Sequence, residues 1–360
     1  MSPLMKSVEE AGIKGIQRKL QPNTVFGEDF FTESEELRKE FGTLVNCSEF
    51  NRMVVIPSVS YGMANVANNL KLGPEDEIIV VDEQFPSNVY PWMRLSEDSG
   101  AIIKTISAPN TLVDRGKIWN SRILESITAK TKLVACGHIH WADGTLFDLT
   151  SIRQKTREVG ALLVIDGTQS IGAIPFDIKE IQPDALIAAG YKSMMGPYSI
   201  GMAYYGSAFD DGIPIEENWI NRFESQDFAN LVNYNPNYQP GALRYEVGEH
   251  SNFILVPMMM EALKVLNKLR VSNIKSYCNE LVEEPVQKLR NHSFWIEDVD
   301  FRASNLFGIR LPDHLSMEDA KSRLQKAQVF VSYRGDCIRV SPNIYNTTQD
   351  LEILVDALTT

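Results

Sequence analysis

The stretch LLVIDGTQSIGAIPFDIKEIQPDALIAAGYKSMMGPYSIGMAYY, residues 162–205, carries three short apolar runs separated by turns of different texture. ALLVID (161–166) stops at Asp166, ALIAAGY (185–191) stops at Tyr191 with Lys192 next, and GMAYYG (201–206) follows a Gly- and Pro-bearing turn. Short runs of nearly continuous apolar residues are the pattern of strands covered on both faces. In a parallel sheet, ligands collect beyond the carboxyl ends of the strands. Asp166 and Lys192 both stand at such ends, on consecutive strands, and neither has a neighbouring opposite charge in sequence. An isolated lysine after a strand is ordinarily a solvated loop residue. That explanation must here also cover Asp166, Gln169 and the small residues Ser193 and Gly196 around the lysine.

Working outward, the same texture recurs in MVVIPS (53–58), EIIVVD (77–82), AIIKTIS (101–107) and LVACGHIHW (133–141). Helix-length pieces lie between them, such as YGMANVANNLKLG (61–73) and LTSIRQKTREVG (149–160), each ending at a glycine. Seven buried strands interleaved with helices predict an α/β fold, a three-layer large domain with a seven-stranded, mostly parallel sheet. Residues 212–250 are irregular and rich in Asn, Pro and Tyr. A helical pattern resumes near Phe253, followed by strand-like FGIRL (307–311), VFVSY (329–333) and CIRVS (337–341), with helical SMEDAKSRLQKA (316–327) and TTQDLEILVDALT (347–359). The expected organisation is a large domain over 15–250 and a smaller α+β C-terminal domain over 251–360, with residues 1–14 packing on the latter.

The chain has 360 residues, is 44% hydrophobic and 23% charged, and has a formal net charge of -12. Those fractions are ordinary for a globular protein. The acidic balance, with no Lys/Arg-rich run to offset it, argues against a nucleic-acid surface. MSPLMKSVEE at the start lacks the apolar core of a signal peptide, and no stretch approaches the roughly 18 apolar residues of a membrane span. Cys47, Cys136, Cys278 and Cys337 lie far apart and form no CxxC pair, so neither a disulfide framework nor a zinc site is expected. A cytoplasmic, reducing location is the expectation.

A lysine and a carboxylate at neighbouring strand ends suit pyridoxal 5'-phosphate, held as an imine on Lys192, with Asp166 keeping the pyridine nitrogen protonated so that the ring acts as an electron sink. A dry site should also depress the lysine pKa, since the charged amine is a poor nucleophile. The 162–205 stretch resembles the class V aminotransferases, the fold-type-I group that also holds cysteine desulfurases, kynureninases and isopenicillin N epimerase. The spacing of 192 − 166 = 26 residues fits one βαβ step of that family. By that resemblance Gln169 faces the ring hydroxyl, and Tyr191 precedes the lysine in the cofactor site.

The resemblance runs from about residue 20 to the end. VIPSVSYGMANVANNL (55–70) falls where the family has its phosphate turn, so Ser58, Ser60, Tyr61 and Gly62 would supply hydroxyls and N–H groups at a helix N-terminus. A Ser there is otherwise simply a cap. DEQFPSNVYPW (82–92) resembles the stretch that stacks on the cofactor ring, which implies Phe85 for that role; a core phenylalanine is the plain alternative. HIHWADGTLFD (138–148) resembles the family loop in which Trp141 takes a position held elsewhere by Asn or Tyr. His138, His140 and Asp143 within it suggest a metal cluster, but no third ligand is clear, and no metal is expected. DCIRVSPNIYNTTQDLEIL (336–354) resembles the segment whose arginine grips the substrate α-carboxylate, which implies Arg339. YEVGEHSN (245–252) aligns with the segment reaching the phosphate across a dimer, leaving Glu249, His250 or Ser251 as candidates.

The expected function is that of a pyridoxal-phosphate enzyme acting on a small amino acid. Transamination in a homodimer is the first expectation. Kynureninase-like lyase and epimerase reactions stay open. A cysteine desulfurase needs a nucleophilic cysteine on a mobile loop, whereas Cys337 falls two residues before Arg339 inside a strand pattern. A nucleotide-binding fold would need a glycine fingerprint that PSVSYGMAN lacks. A cofactor-binding protein without activity is the remaining alternative.

Overall fold

The computed structural model describes residues 1–360. All seven apolar runs are strands: β1 (Met53–Ile56), β2 (Glu77–Val81), β3 (Ile102–Ile106), β4 (Thr131–Gly137), β5 (Leu162–Asp166), β6 (Ala185–Ala189) and β7 (Gly201–Tyr205). They form one sheet in the order β1-β7-β6-β5-β4-β2-β3. Only β7 is reversed; it pairs antiparallel with β1 and with β6, so those two and the rest point one way. The helices that cover this sheet are α1 (Lys6–Arg18), α2 (Thr32–Leu44), α3 (Val59–Asn68), α4 (Tyr90–Ser99), α5 (Arg115–Ser126), α6 (Leu149–Val159), α7 (Ile178–Ile181) and α8 (Leu255–Leu269).

Alternation along each strand explains the three layers. Val55, Val81, Val134 and Leu163 point to a core shared with Phe41 of α2, Trp119 of α5, Ile152 of α6 and Leu263 of α8. Their neighbours Val54, Val80, Leu133 and Val164 point to the other face, onto Met63 and Val66 of α3 and Trp92 of α4. Each buried aliphatic side chain contributes about 1.5–3 kcal/mol relative to exposure. Both faces are therefore apolar, and the strands lose the alternating look of a half-wet sheet.

A second sheet follows α9 (Val271–Asn291). It holds β8 (Phe307–Arg310), β9 (Ser332–Arg334) and β10 (Cys337–Val340) in the order β8-β10-β9, all antiparallel. With α10 (Met317–Lys326) and α11 (Thr348–Thr359) these strands enclose a separate core around Phe307, Ile338, Leu324 and Leu354. The molecule thus has the three-layer sheet with a smaller α+β unit, as the sequence predicts. No helix is long and apolar enough to cross a membrane.

Two expected elements shift. The helix expected over 61–73 begins at Val59, where the Ser58 hydroxyl accepts the Tyr61 N–H, and it ends at Asn68 rather than at a glycine. Asn69 ends it: its amide donates to the Asn65 and Ile213 carbonyls and accepts the Ile213 N–H, drawing the chain toward a distant loop. The strand expected over 329–333 is displaced to Ser332–Arg334, because Gln328 turns at φ 56° and Phe330 lies in solvent. By contrast α6 is framed as its sequence implies, with the Asp148 carboxylate on the Ser151 N–H and Gly160 at φ 72°.

The irregular 212–250 stretch is tied down by one buried acid. Glu246 accepts the Val55 N–H at 3.0 Å, takes Arg38 Nη1 at 3.2 Å, and lies 3.1 Å from His250 Nδ1. His250 Nε2 is in turn 3.0 Å from the Phe30 carbonyl, so that side chain is held inside the subunit. Another junction sits at Gly144, φ +78°, where a Cβ would fall 2.1 Å from the Leu306 carbonyl oxygen. Around it Gly144 O accepts the Ala303 N–H and Leu146 donates to Phe301 O, fixing the loop after β4 to the chain that enters β8.

Candidate active site

The carboxyl ends of β1, β2, β4, β5 and β6 surround a cavity of about 300 Å³. Its wall includes Ser58 and Ser60, Gln84 and Phe85, His140 and Trp141, Asp166, Thr168 and Gln169, and Tyr191 and Lys192. The structure therefore brings together Ser60, Phe85, Trp141, Asp166, Gln169, Tyr191 and Lys192. A neighbouring cavity of about 60 Å³ is shared by Lys192, Gln169 and Arg339.

Lys192 stands three residues past the end of β6, and its Nζ makes no hydrogen bond or ion pair. Its Nζ is 5.3 Å from the centre of the Phe85 ring and 5.7 Å from that of Tyr191. Burial pushes its ammonium down to about 8 against the pull of Asp166, and the cations Arg339 and Arg334 push the same way as burial. Asp166, the last residue of β5, takes the Thr168 N–H on Oδ1 at 2.9 Å, while Oδ2 accepts nothing from the protein. Burial lifts its carboxyl above the usual range, with Thr168 and Lys192 opposing.

Gln169 is held through its backbone: its carbonyl accepts from Ser193 Oγ at 3.0 Å and Asn305 Nδ2 at 2.8 Å, which leaves its side-chain amide without a protein partner. Phe85 meets Trp141 edge-on at 5.3 Å, and the Trp141 indole N–H donates to the Glu83 carbonyl at 2.6 Å. Tyr191 packs obliquely on Tyr198 at 4.6 Å. At the other end of the cavity Ser58 Oγ and Ser60 Oγ are 2.9 Å apart, and the Val59 and Ser60 N–H groups have no intrachain acceptor. A helix start with free N–H groups favours an anion.

Tyr61 and Gly62 are placed differently from Ser60, outside the cavity wall. The Tyr61 hydroxyl donates to Glu216 at 2.9 Å. At Gly62 a Cβ would lie 2.7 Å from Ile187, so the absent side chain allows α3 to approach β6. Arg339, on β10, donates to the Trp141 carbonyl at 2.8 Å and has no acidic partner. His140 is engaged at both nitrogens, 3.0 Å from Asp143 Oδ1 and 3.1 Å from Asp82 O. His138 packs instead edge-on against Phe176, and burial pushes its imidazole down to about 4. No three His, Cys, Asp or Glu side chains converge as a metal site.

Some neighbours were not singled out from the sequence. Gln84 bridges strands by donating to Ala135 O and accepting the Gly137 N–H, and so fixes the loop that carries Phe85. Ser2 donates its N–H to Tyr191 O and its hydroxyl to Lys192 O. Arg334 packs on Trp141 with 4.9 Å from Cζ to the ring centre. Of these, only Arg334 had a readable signal: the Gly-Asp turn between VFVSY and CIRVS, which places it on the same hairpin face as Arg339.

Comparison with known proteins gives one family. The model described as Aminotransferase class-V matches residues 23–354. An uncharacterized aminotransferase of Bacillus subtilis (strain 168) is 26% identical over 332 residues, 91% of this chain and 83% of that one. A probable cysteine desulfurase of Pyrococcus abyssi (strain GE5 / Orsay) is 25% identical over 342 residues, 90% of this chain and 82% of the other. Among solved structures, C-DES with glycine covalently linked to its PLP cofactor superposes with a TM-score of 0.86 at 18% identity, over 99% of this chain and 93% of that one. The apo cysteine desulfurase from Thermococcus onnurineus NA1 gives 0.83 at 20% identity, over 99% and 92%. At such identities these two structures speak for the fold.

Proposed function

Since the chain belongs to the class V aminotransferase family, and so is an enzyme of that class whose cofactor is pyridoxal 5'-phosphate, we propose that it transaminates a small amino acid with Lys192 as its covalent anchor. The residues of the site fit the cofactor. A buried amine without a partner stands ready for the aldehyde, and a buried carboxylate with one free oxygen can meet the pyridine nitrogen. Phe85 offers an aromatic face, Ser58 and Ser60 offer hydroxyls, and Val59 and Ser60 offer N–H groups for the phosphate. Gln169, with its free amide, would reach the ring hydroxyl.

When bound, the protonated heterocycle supplies a sink for negative charge at the substrate's α-carbon. Asp166 keeps that sink charged by holding a proton on the ring nitrogen. Arg339 grips the substrate α-carboxylate; its guanidinium is aimed by the Trp141 carbonyl and has no competing acid. Lys192 Nζ, when free, moves the proton at the α-carbon. Phe85, Trp141 and Tyr191 would give that atom an aromatic wall.

The observation that carries this reading is that Lys192 and Asp166 line one cavity, with Arg339 on the neighbouring one that Lys192 also lines. The cysteines argue against a desulfurase. All four are buried, and Cys337 has its thiol pushed up to about 12 by burial, with its Sγ directly under Gly308. We also infer a homodimer, supported by large apolar side chains left in solvent at Ile213, Val232 and Tyr234. A cytoplasmic location is supported by four thiols without a disulfide.

The test is to mix loaded protein with a panel of amino acids and follow both the cofactor spectrum and keto-acid release. Stoichiometric keto acid with conversion to the pyridoxamine form is the expected result, and Lys192→Ala should lose it. A spectral change without keto acid would assign a lyase or epimerase instead, and sulfide release a desulfurase.

A further inference from the structure

We propose that the substrate carries a second carboxylate, that the enzyme therefore works on a dicarboxylic amino acid or its keto-acid partner, and that Arg334 is the residue that reads the distal carboxylate. This rests on the reading above, in which Arg339 takes the α-carboxylate.

Arg334 and Arg339 lie on the antiparallel hairpin β9–β10. Arg339 pairs with Ser332 and Arg334 with Cys337, so the two arginines are diagonal neighbours on one face. Both reach the same indole: Arg334 Cζ lies 4.9 Å and Arg339 Cζ 6.0 Å from the Trp141 ring centre. A third arginine of this sheet, Arg310, is paired with Asp336. Neither Arg334 nor Arg339 has an acidic partner, and each has a buried Nε–H with no acceptor. The hydrogen bonds they do make are to main-chain carbonyls, Arg334 to Tyr333 O and Arg339 to Trp141 O. A carbonyl positions a guanidinium without cancelling its charge.

Two uncompensated guanidiniums side by side repel each other and disfavour the nearby Lys192 cation, a cost that one bound carboxylate would relieve only halfway. Arg339 alone can hold one carboxylate through two parallel hydrogen bonds, so a second cation is not needed for the α-group. The chain as a whole is strongly acidic, at a formal net charge of -12, so this positive corner is a local exception that attracts anions at short range. Trp141, which carries both guanidiniums near its ring, lines the cofactor cavity and sits against Phe85.

The test uses the loaded enzyme and unreactive probes, so that it does not depend on turnover. Calorimetric titration compares succinate and glutarate with propionate and butyrate, for the wild type, Arg334→Gln and Arg334→Lys. The wild type should bind the dicarboxylates at least ten-fold more tightly than the monocarboxylates. Arg334→Gln should lose about ten-fold on the dicarboxylates and under three-fold on the monocarboxylates. Arg334→Lys, which keeps the charge without the fork, should fall between. Equal binding of both probe classes by the wild type would overturn the proposal. An equal loss on both classes in either variant would also do so, because the two arginines would then share a single carboxylate. Failure to release keto acid in the amino-acid panel would sink the transaminase reading while leaving this result standing.

Discussion

At the scale of single residues, the chemistry of the site turns on the charge of one amine. With its ammonium pushed down to about 8, roughly a tenth of Lys192 is neutral at pH 7, against roughly one in three thousand for an unperturbed lysine. The neutral form is the nucleophile. The rate at which cofactor-free protein takes up pyridoxal 5'-phosphate should therefore climb with pH through a midpoint near 8, measured by stopped-flow absorbance. Arg339→Gln removes a cation that disfavours the ammonium and should move the midpoint up; Asp166→Asn removes an anion that favours it and should move it down. A midpoint unmoved in both variants would disprove the electrostatic account. The places of Asp166 and Lys192 on one cavity could be read from sequence because Asp166 ends an apolar run and Lys192 follows one. Arg334 could not be read so simply, since its meaning comes from a hairpin partner, and Tyr61 and Gly62 show the reverse case. Their motif position suggests a ligand, while the Tyr61 hydroxyl meets Glu216 and Gly62 lies close to Ile187.

Among the elements, the strands of the large sheet were the most legible because burial on both faces leaves little but apolar residues to read. The strand near 329 starts later than its apolar residues suggest for a complementary reason: Gln328 turns the chain after a helix end and Phe330 lies in solvent. Legibility fails where side-chain identity and burial come apart. Helix contacts are harder still. α1 lies along α8 with two glycines at the crossing; a Cβ on Gly15 would fall 2.1 Å from the Phe253 carbonyl, and one on Gly12 would fall 2.6 Å from Met258 Sδ. Ala is ordinarily the better helix former, by about 1 kcal/mol. Here Gly15→Ala should instead destabilise the protein by about 1–3 kcal/mol, because the obstacle is backbone. Gly12→Ala, which meets a flexible thioether, should be the milder of the two. Chemical denaturation of both variants checks the order.

Across the whole molecule, distant segments meet at a buried charge. Glu246 joins α2, β1 and the irregular 212–250 stretch. Burial alone would lift its carboxyl; Arg38, His250 and the Val55 N–H outweigh burial and hold it below its ordinary range. A depressed carboxylate stabilises the fold in full above its unfolded value, about 4.3, and loses that contribution as pH falls through the folded value. Melting temperature should therefore hold steady between about pH 7 and 5 and drop below about 4.5. Glu246→Gln should cost about 3–5 kcal/mol at pH 7 by stranding Arg38, and should flatten the acid limb. A variant with the wild-type acid profile would show that the fall originates elsewhere.

The close approach at Gly144 couples the C-terminal lobe to the aromatic wall of the site. The loop after β4 is pressed into the Leu306 carbonyl and bonded to Ala303 on one side of Trp141, while Arg339 holds the Trp141 carbonyl on the other. A swing of the C-terminal lobe would therefore carry the indole with it as a lever carries its load.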